Sequence, residues 1–186
     1  MKLLVSQFFY FSLFLMLIAT SSCNRYIDKA TTERKLQIME GNFTFYPDSN
    51  VLIYKSNVKL TMDTEVYAPK SFYTKLPKGI KWYEMENSQV FRFFYNKEQV
   101  VLINIDLRDS LTKVDSSYVP AREEMSKFVA GNASPSNRKF DVNKIELNKS
   151  RKQLIIKRDA ATILLYNIEP KNYDSFVTFL KEFTFL

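Results

Sequence analysis

One cysteine, Cys23, serves all 186 residues, so no disulfide can close within the chain and any fold must be held together by buried apolar surface. Histidine is absent altogether. Imidazole bases, Cys-His dyads, Ser-His-Asp triads and the usual zinc sites go with it. The three glycines, Gly41, Gly79 and Gly131, stand far apart, which removes both the phosphate-cradling loop and the dinucleotide fingerprint. No cofactor is expected.

The cysteine stands where an apolar leader ends, in Ala19-Thr20-Ser21-Ser22-Cys23-Asn24. Lys2 supplies a positive start, and Val5 to Ile18 form an apolar stretch broken only by Ser6, Gln7 and Ser12. That is the length of a signal-peptide core rather than of a membrane span, which needs about 20 residues. Ser21-Ser22-Cys23 resembles the lipobox of bacterial lipoproteins, with Thr20 where leucine is commonest. The resemblance implies a signal peptide over 1–22 and Cys23 as first mature residue, carrying a thioether-linked diacylglycerol and an N-acyl chain. Several acyl chains, at about 0.8 kcal/mol per buried methylene, anchor a protein stably. Asn24, where aspartate would retain a lipoprotein at the inner membrane, implies the outer membrane, facing periplasm or cell surface. Ordinary cleavage after Ser21 and an uncleaved anchor helix are the alternatives.

Without the leader about 163 residues remain, enough for one domain to bury roughly 70% of its unfolded surface. The formal charge of +7 suits anionic lipid, acidic glycan or protein partners in an exported chain; nucleic acid is not expected as a partner. Residues 23–36 are polar and aperiodic beyond the cysteine and read as a tether, leaving 37–186 as the domain. Extended, the tether would reach roughly 40 Å.

Short β-like runs appear at 51–54 and 58–62, and Pro69 and Pro77 bracket an extended approach to the strongest β region. There, 80–85 and 89–95 precede a turn at Asn96-Lys97 and a return along 99–107, with Asn96 suited to the positive φ of a tight turn. Val101, Ile103, Ile105 and Leu107 share one face; Asn104 and Asp106 share the other, which the spacing predicts to be wet. Pro120, Glu123 and Glu124 open a helix over 120–130 that Gly131 would close in a left-handed conformation. Strands are predicted at 140–147, 152–158 and 161–168, the first two joined across Asn148-Lys149-Ser150, and the last, apolar on both faces, is central. Tyr173, Phe176, Val177, Leu180 and Phe183 recur at helical spacing. The fold class is therefore α+β: one domain, mainly antiparallel sheet, with a C-terminal amphipathic helix packed on one face and a second short helix. The order Leu76-Pro77-Lys78-Gly79, then Trp82, then a β-hairpin and a closing helix resembles PsbP-like small exported α+β domains. That resemblance implies the fold order and transfers no functional residues.

Glu84 and Glu86, two apart on a strand, would hold their carboxylates about 6–7 Å apart on one face, a glycosidase-like spacing. Two solvated glutamates at a strand end is the plainer reading. Asp63 and Glu65 repeat the pattern as a partial hard-cation site, with too few oxygen ligands to complete it; no metal is expected. Ser56 with Lys59, and Ser136 with Lys139, match Ser-x-x-Lys but open no helix and lack its companion motifs. Asp109-Ser110-Leu111 resembles an O-glycosylation acceptor of some Gram-negative groups.

Adjacent on a strand, Trp82 and Tyr83 should point to opposite faces, and the outward ring is a candidate ligand contact. Phe91 and Phe93 read as core. Between 138 and 158, Arg138, Lys139, Lys144, Lys149, Arg151, Lys152, Lys157 and Arg158 face only Asp141 and Glu146. Lys149, Arg151, Lys152, Lys157 and Arg158 are thus candidates for contact with an anionic surface, against the plainer reading of a solvated hairpin. The expectation is a lipid-anchored, non-catalytic binding or assembly module with an envelope protein or glycan as partner. A carboxylate-based glycan hydrolase and a structural lipoprotein lying on anionic membrane or glycan are the alternatives.

Overall fold

The computed structural model describes residues 34–38, 41–46, 51–55, 59–62, 64–86, 89–108, 115–132 and 140–186. Cys23, the leader, Ser56, Asp63, Asp109-Ser110-Leu111, Ser136 and the cations Arg138 and Lys139 lie outside them.

Two antiparallel sheets carry the fold. The larger is formed by β7 (Trp82–Glu86), β8 (Val90–Phe94), β9 (Val100–Ile105), β10 (Ser116–Tyr118), β11 (Lys152–Arg158) and β12 (Ala161–Ile168), in the order β10-β11-β12-β9-β8-β7. The other is formed by β1 (Arg34–Ile38), β2 (Gly41–Tyr46), β3 (Val51–Lys55), β6 (Phe72–Lys75) and β13 (Thr184–Phe185), in the order β1-β2-β3-β6-β13. A small ribbon pairs β4 (Leu60–Met62) with β5 (Glu65–Tyr67), Thr64 taking the positive φ at its turn. Among the described residues two α-helices complete the α+β architecture: α1 (Arg122–Gly131) and α2 (Tyr173–Leu180).

Period-2 alternation decides how the layers meet. One face of the six-stranded sheet presents Phe91, Phe93, Val101, Ile103, Leu154, Ile163 and Leu165, which pack with Leu52, Tyr54 and Phe72 of the other sheet. The apolar stripe of α2, Phe176 and Leu180, closes this core as its spacing predicts. β12 is apolar on both faces because it is interior to the larger sheet, between β11 and β9.

The opposite face of that sheet is not wet. Phe94, Val100, Leu102, Ile155, Leu164 and Tyr166 form a second core with Met125 of α1 and with Phe140, Val142 and Ile145. The segment 140–147 is consequently not a strand. After two alternating positions its buried residues shift to Ile145, and a 3-10 turn spans Val142–Lys144, with Asp141 Oδ1 accepting from the Asn143 N–H at 3.0 Å. Its carbonyls find side-chain donors on β12: Tyr166 Oη donates to Ile145 O at 3.1 Å and Asn167 Nδ2 to Glu146 O at 2.8 Å. The neighbour of β11 is instead the short β10.

Two turn expectations also change. Asn96 is not in the positive-φ region; its Oδ1 accepts from the N–H groups of Glu98 and Gln99 at 2.8 and 2.7 Å, an Asx turn. Gly131 is the last residue of α1 rather than a left-handed cap, and Asn132 ends the helix by returning Nδ2 to Phe128 O at 2.8 Å. At the other end of the domain β1 begins at Arg34, inside the segment read as tether, because 34–36 pair with 43–45 of β2.

Candidate functional site

β7 sorts its residues by parity. Tyr83 points into the main core and is 3% exposed, while Trp82, Glu84 and Glu86 point to the α1 side. The two rings point to opposite faces as the alternation predicts, and Trp82, the one turned away from the main core, is half-buried against the second core. Trp82 lies parallel to Phe140, with ring centroids 6.1 Å apart and 3° between the planes, and its indole N–H donates to Glu84 Oε1 at 3.1 Å. Tyr83 and Trp82 are thus packing residues of the two cores.

The glutamates are not a solvated pair either. Opposite Glu84 stands Arg92 on β8, 1% exposed, and Glu84 itself is 5% exposed. Arg92 Nη2 donates to Glu86 Oε2 at 2.7 Å, its Nε donates to Asn132 O at 2.6 Å, and Nη1 lies 3.9 Å from Glu84 Oε2. Asn104 Nδ2 donates to Asn132 Oδ1, linking β9 to the same helix end. A guanidinium therefore occupies the region between the carboxylates where a glycosidase keeps the scissile bond. The arrangement can fix the C-terminus of α1 to the sheet. Both carboxylates face the same cation, Glu86 at 2.7 Å and Glu84 at 3.9 Å.

The basic segment is divided rather than gathered. Arg151 pairs with Glu169 at 2.9 Å and approaches Glu98 at 4.0 Å; Arg158 pairs with Asp115 and donates from Nη2 to Lys181 O at 3.2 Å. Lys144 pairs with Asp141 at 3.2 Å. Lys152 and Lys157 lay their ammonium groups over the rings of Tyr173 and Tyr118, at 6.0 and 5.6 Å. Lys149 is exposed beside the turn that precedes β11. Lys152 and Lys157 stand five residues apart, roughly 17 Å along a strand. Local sequence charge misleads here because Glu98, Asp115 and Glu169 arrive from distant segments. The hydrogen bonds from Lys171 and Arg151 hold the Glu169 carboxyl below its usual range.

Among the described residues no cluster of three or more histidine, cysteine or acidic side chains could hold a metal ion, and Glu65 bonds instead to the Tyr67 hydroxyl. Open grooves are present among the described residues. One, about 260 Å³, lies between α1 and the 142–147 segment, over Met125, Val129 and Tyr166, whose hydroxyl is spent on Ile145 O. Another, about 280 Å³, lies beside β10, where Asp115 neutralises Arg158. The third, about 340 Å³, lies between the 77–81 loop, the β8–β9 turn and the start of α2.

Arg92 is the residue the sequence reading passed over. Its signal was a lone charge within Val90-Phe91-Arg92-Phe93-Phe94, a position that only a paired cation occupies inside a sheet. Compared with known proteins, the chain matches no family model, no curated protein and no solved structure.

Proposed function

We propose that this is a lipid-anchored envelope protein, held at the outer membrane through acylated Cys23, whose α+β domain is a non-catalytic binding or assembly module for an envelope glycan or protein. The observation that carries the reading is the sole cysteine of the chain at the end of an apolar leader, after Ser21-Ser22. With β1 beginning at Arg34, the segment from Cys23 to Glu33 would let the domain stand up to roughly 35 Å from the bilayer. The hydrolase alternative loses support from Arg92, which binds the carboxylates it would need. The purely structural alternative loses support from the ion pairs that divide the basic segment.

The test is mass spectrometry and membrane fractionation of the chain in its native host, beside Cys23→Ser. The expected result is acyl mass on Cys23, lost with membrane partition in the variant. Equal mass and partition of the two proteins would overturn the anchor. Crosslinking in intact cells is expected to capture a glycan or protein partner; turnover of a captured glycan would overturn the non-catalytic role.

A further inference from the structure

Arg158 lines the groove beside β10 with a guanidinium already committed at two of its nitrogens, Nη1 to Asp115 and Nη2 to Lys181 O at 3.2 Å. Its Nε is buried and has no partner among the described residues. A buried donor on a charged group is costly to leave unpaired, so an acceptor oxygen that enters the groove beside it is favoured. Lys181, the residue after α2, lines the same groove. It is exposed, and no carboxylate among the described residues stands in ion-pairing range of its ammonium. Asp115 is the one acid in the lining, against two cations, so the groove keeps a positive charge.

The groove runs along the edge of the larger sheet. β10 ends the strand order: Ser116-Ser117-Tyr118 pair with β11 on one side, and among the described residues no strand pairs with them on the other. Ser117 stands opposite Ile156, so it shares the face of Ile156 and Arg158, the face on which α2 packs. A strand added outside β10 would therefore present every second side chain to the groove and to Lys181. Ser117 is exposed, and Val119, two positions on, is 72% exposed, the edge then ending at Pro120, which has no N–H to offer. Three residues supply few main-chain hydrogen bonds, so the groove has to supply the choice of partner.

We propose that the β10 edge docks an extended acidic segment of a partner protein as an added strand, with one carboxylate seated in the groove against Lys181 Nζ and Arg158 Nε. An apolar side chain two positions away from the acid covers Val119. The surface rests on the assembly-module reading above and supplies the partner's chemistry. A free phosphate or sugar acid would use the two cations but not the open strand edge, which is what favours polypeptide.

The experiment titrates the full chain, in nonionic detergent, into the fluorescein-labelled peptide Thr-Thr-Val-Thr-Glu-Thr-Thr, its counterpart with Gln for Glu, and a counterpart methylated on every backbone nitrogen. Fluorescence anisotropy reads affinity, and NMR follows the amides of Ser116, Ser117 and Tyr118. The Glu peptide should bind saturably, more weakly as salt is added, and shift those amides. The Gln peptide should bind about tenfold more weakly, and the methylated one not at all. Lys181→Gln, at an exposed position, should weaken the Glu peptide about threefold and leave the Gln peptide unchanged. Arg158→Lys keeps a cation for Asp115 but removes Nε, and should also weaken the Glu peptide; should that variant unfold, Lys181→Gln still decides. No binding of the Glu peptide overturns the proposal, as does equal affinity for Glu and Gln peptides or undiminished binding of the methylated one. Inorganic phosphate or free glutamate binding as tightly as the peptide makes this a small-anion site and overturns it too. None of these outcomes touches the crosslinking of intact cells or the Cys23 result, so this surface, the module and the anchor fail separately.

Discussion

Gln153 and Asn167 exchange two hydrogen bonds across a break in the β11–β12 ladder. Gln153 Oε1 accepts from the Asn167 backbone N–H at 2.7 Å, and Gln153 Nε2 donates to Asn167 Oδ1 at 2.9 Å. The ladder shifts register between Lys152 and Leu154, and Asn167 sits at φ 55°, fully buried. It is a bulge whose extra residue must tolerate a left-handed backbone, which asparagine does better than most. From there its carboxamide also accepts from the Asn148 N–H at 3.1 Å and donates to Glu146 O at 2.8 Å. One side chain thus repairs the broken ladder and holds the 146–148 segment against the sheet.

Asn167→Ala should therefore lose both the backbone tolerance and the hydrogen bonds, at about 3 kcal/mol. Asn167→Gly keeps the backbone and loses only the bonds, so it should be about 1 kcal/mol more stable than the alanine variant. Urea unfolding of both reads the difference. Equal stability of the two would mean that the left-handed conformation costs nothing here.

Arg92 makes a second, electrostatic prediction. Replacing it by methionine leaves Glu84 buried opposite an apolar side chain and removes the donor to Asn132 O at 2.6 Å. Breaking a buried pair from one side costs about 3–5 kcal/mol. Adding Glu84→Gln removes the stranded charge while keeping an acceptor for the Trp82 indole. The double variant should recover about 1–3 kcal/mol relative to additivity in a thermodynamic cycle. Strict additivity would show that Arg92 and Glu84 do not interact across the sheet.

These residues also show what could be read from sequence. The long apolar runs at 100–105 and 161–168 named their strands, and the spacing of Phe176 and Leu180 named α2, because periodicity follows burial directly. The second core was illegible for a related reason. Val100 and Leu102 share a face with Asn104 and Asp106, and those two polar positions suggested solvent, where Asn104 has Asn132 as a partner. Strand-like alternation at Phe140 and Val142 likewise hid a coil whose hydrogen bonds come from β12 side chains. At the candidate sites the missing information was always the partner: Arg92 for the glutamates, Phe140 for Trp82, and Asp115 and Glu169 for the basic run.

Trp82 is the sole tryptophan, so its fluorescence reports on the second core alone. Phe140→Ala removes the ring stacked on the indole and the tilted contact to Phe94 at 5.6 Å. The cost expected for a buried phenylalanine is about 3 kcal/mol. Emission should shift to the red as water reaches the indole, while Phe140→Leu should preserve most of both signals. An unshifted spectrum in the alanine variant would mean that α1, rather than the 140–147 segment, shields Trp82.

Tyr118 joins β10 to α1 by donating from Oη to Glu124 Oε1 at 2.5 Å. That hydrogen bond, with smaller contributions from burial and the carboxylate charge, pushes the phenol up to about 12, against about 10 in an unfolded chain. The folded state holds this proton more tightly than the unfolded one. The resulting stability is fully present below pH ~10 and is lost as pH rises from ~10 through ~12. The unmodified chain should thus lose stability across that window more steeply than Tyr118→Phe, which has no proton to release. Glu124→Gln should bring the phenol back toward its ordinary value, read as tyrosinate absorbance after subtracting the Tyr118→Phe titration. Coincident alkaline unfolding curves for the unmodified chain and Tyr118→Phe would show that β10 is not fastened to α1 through this pair.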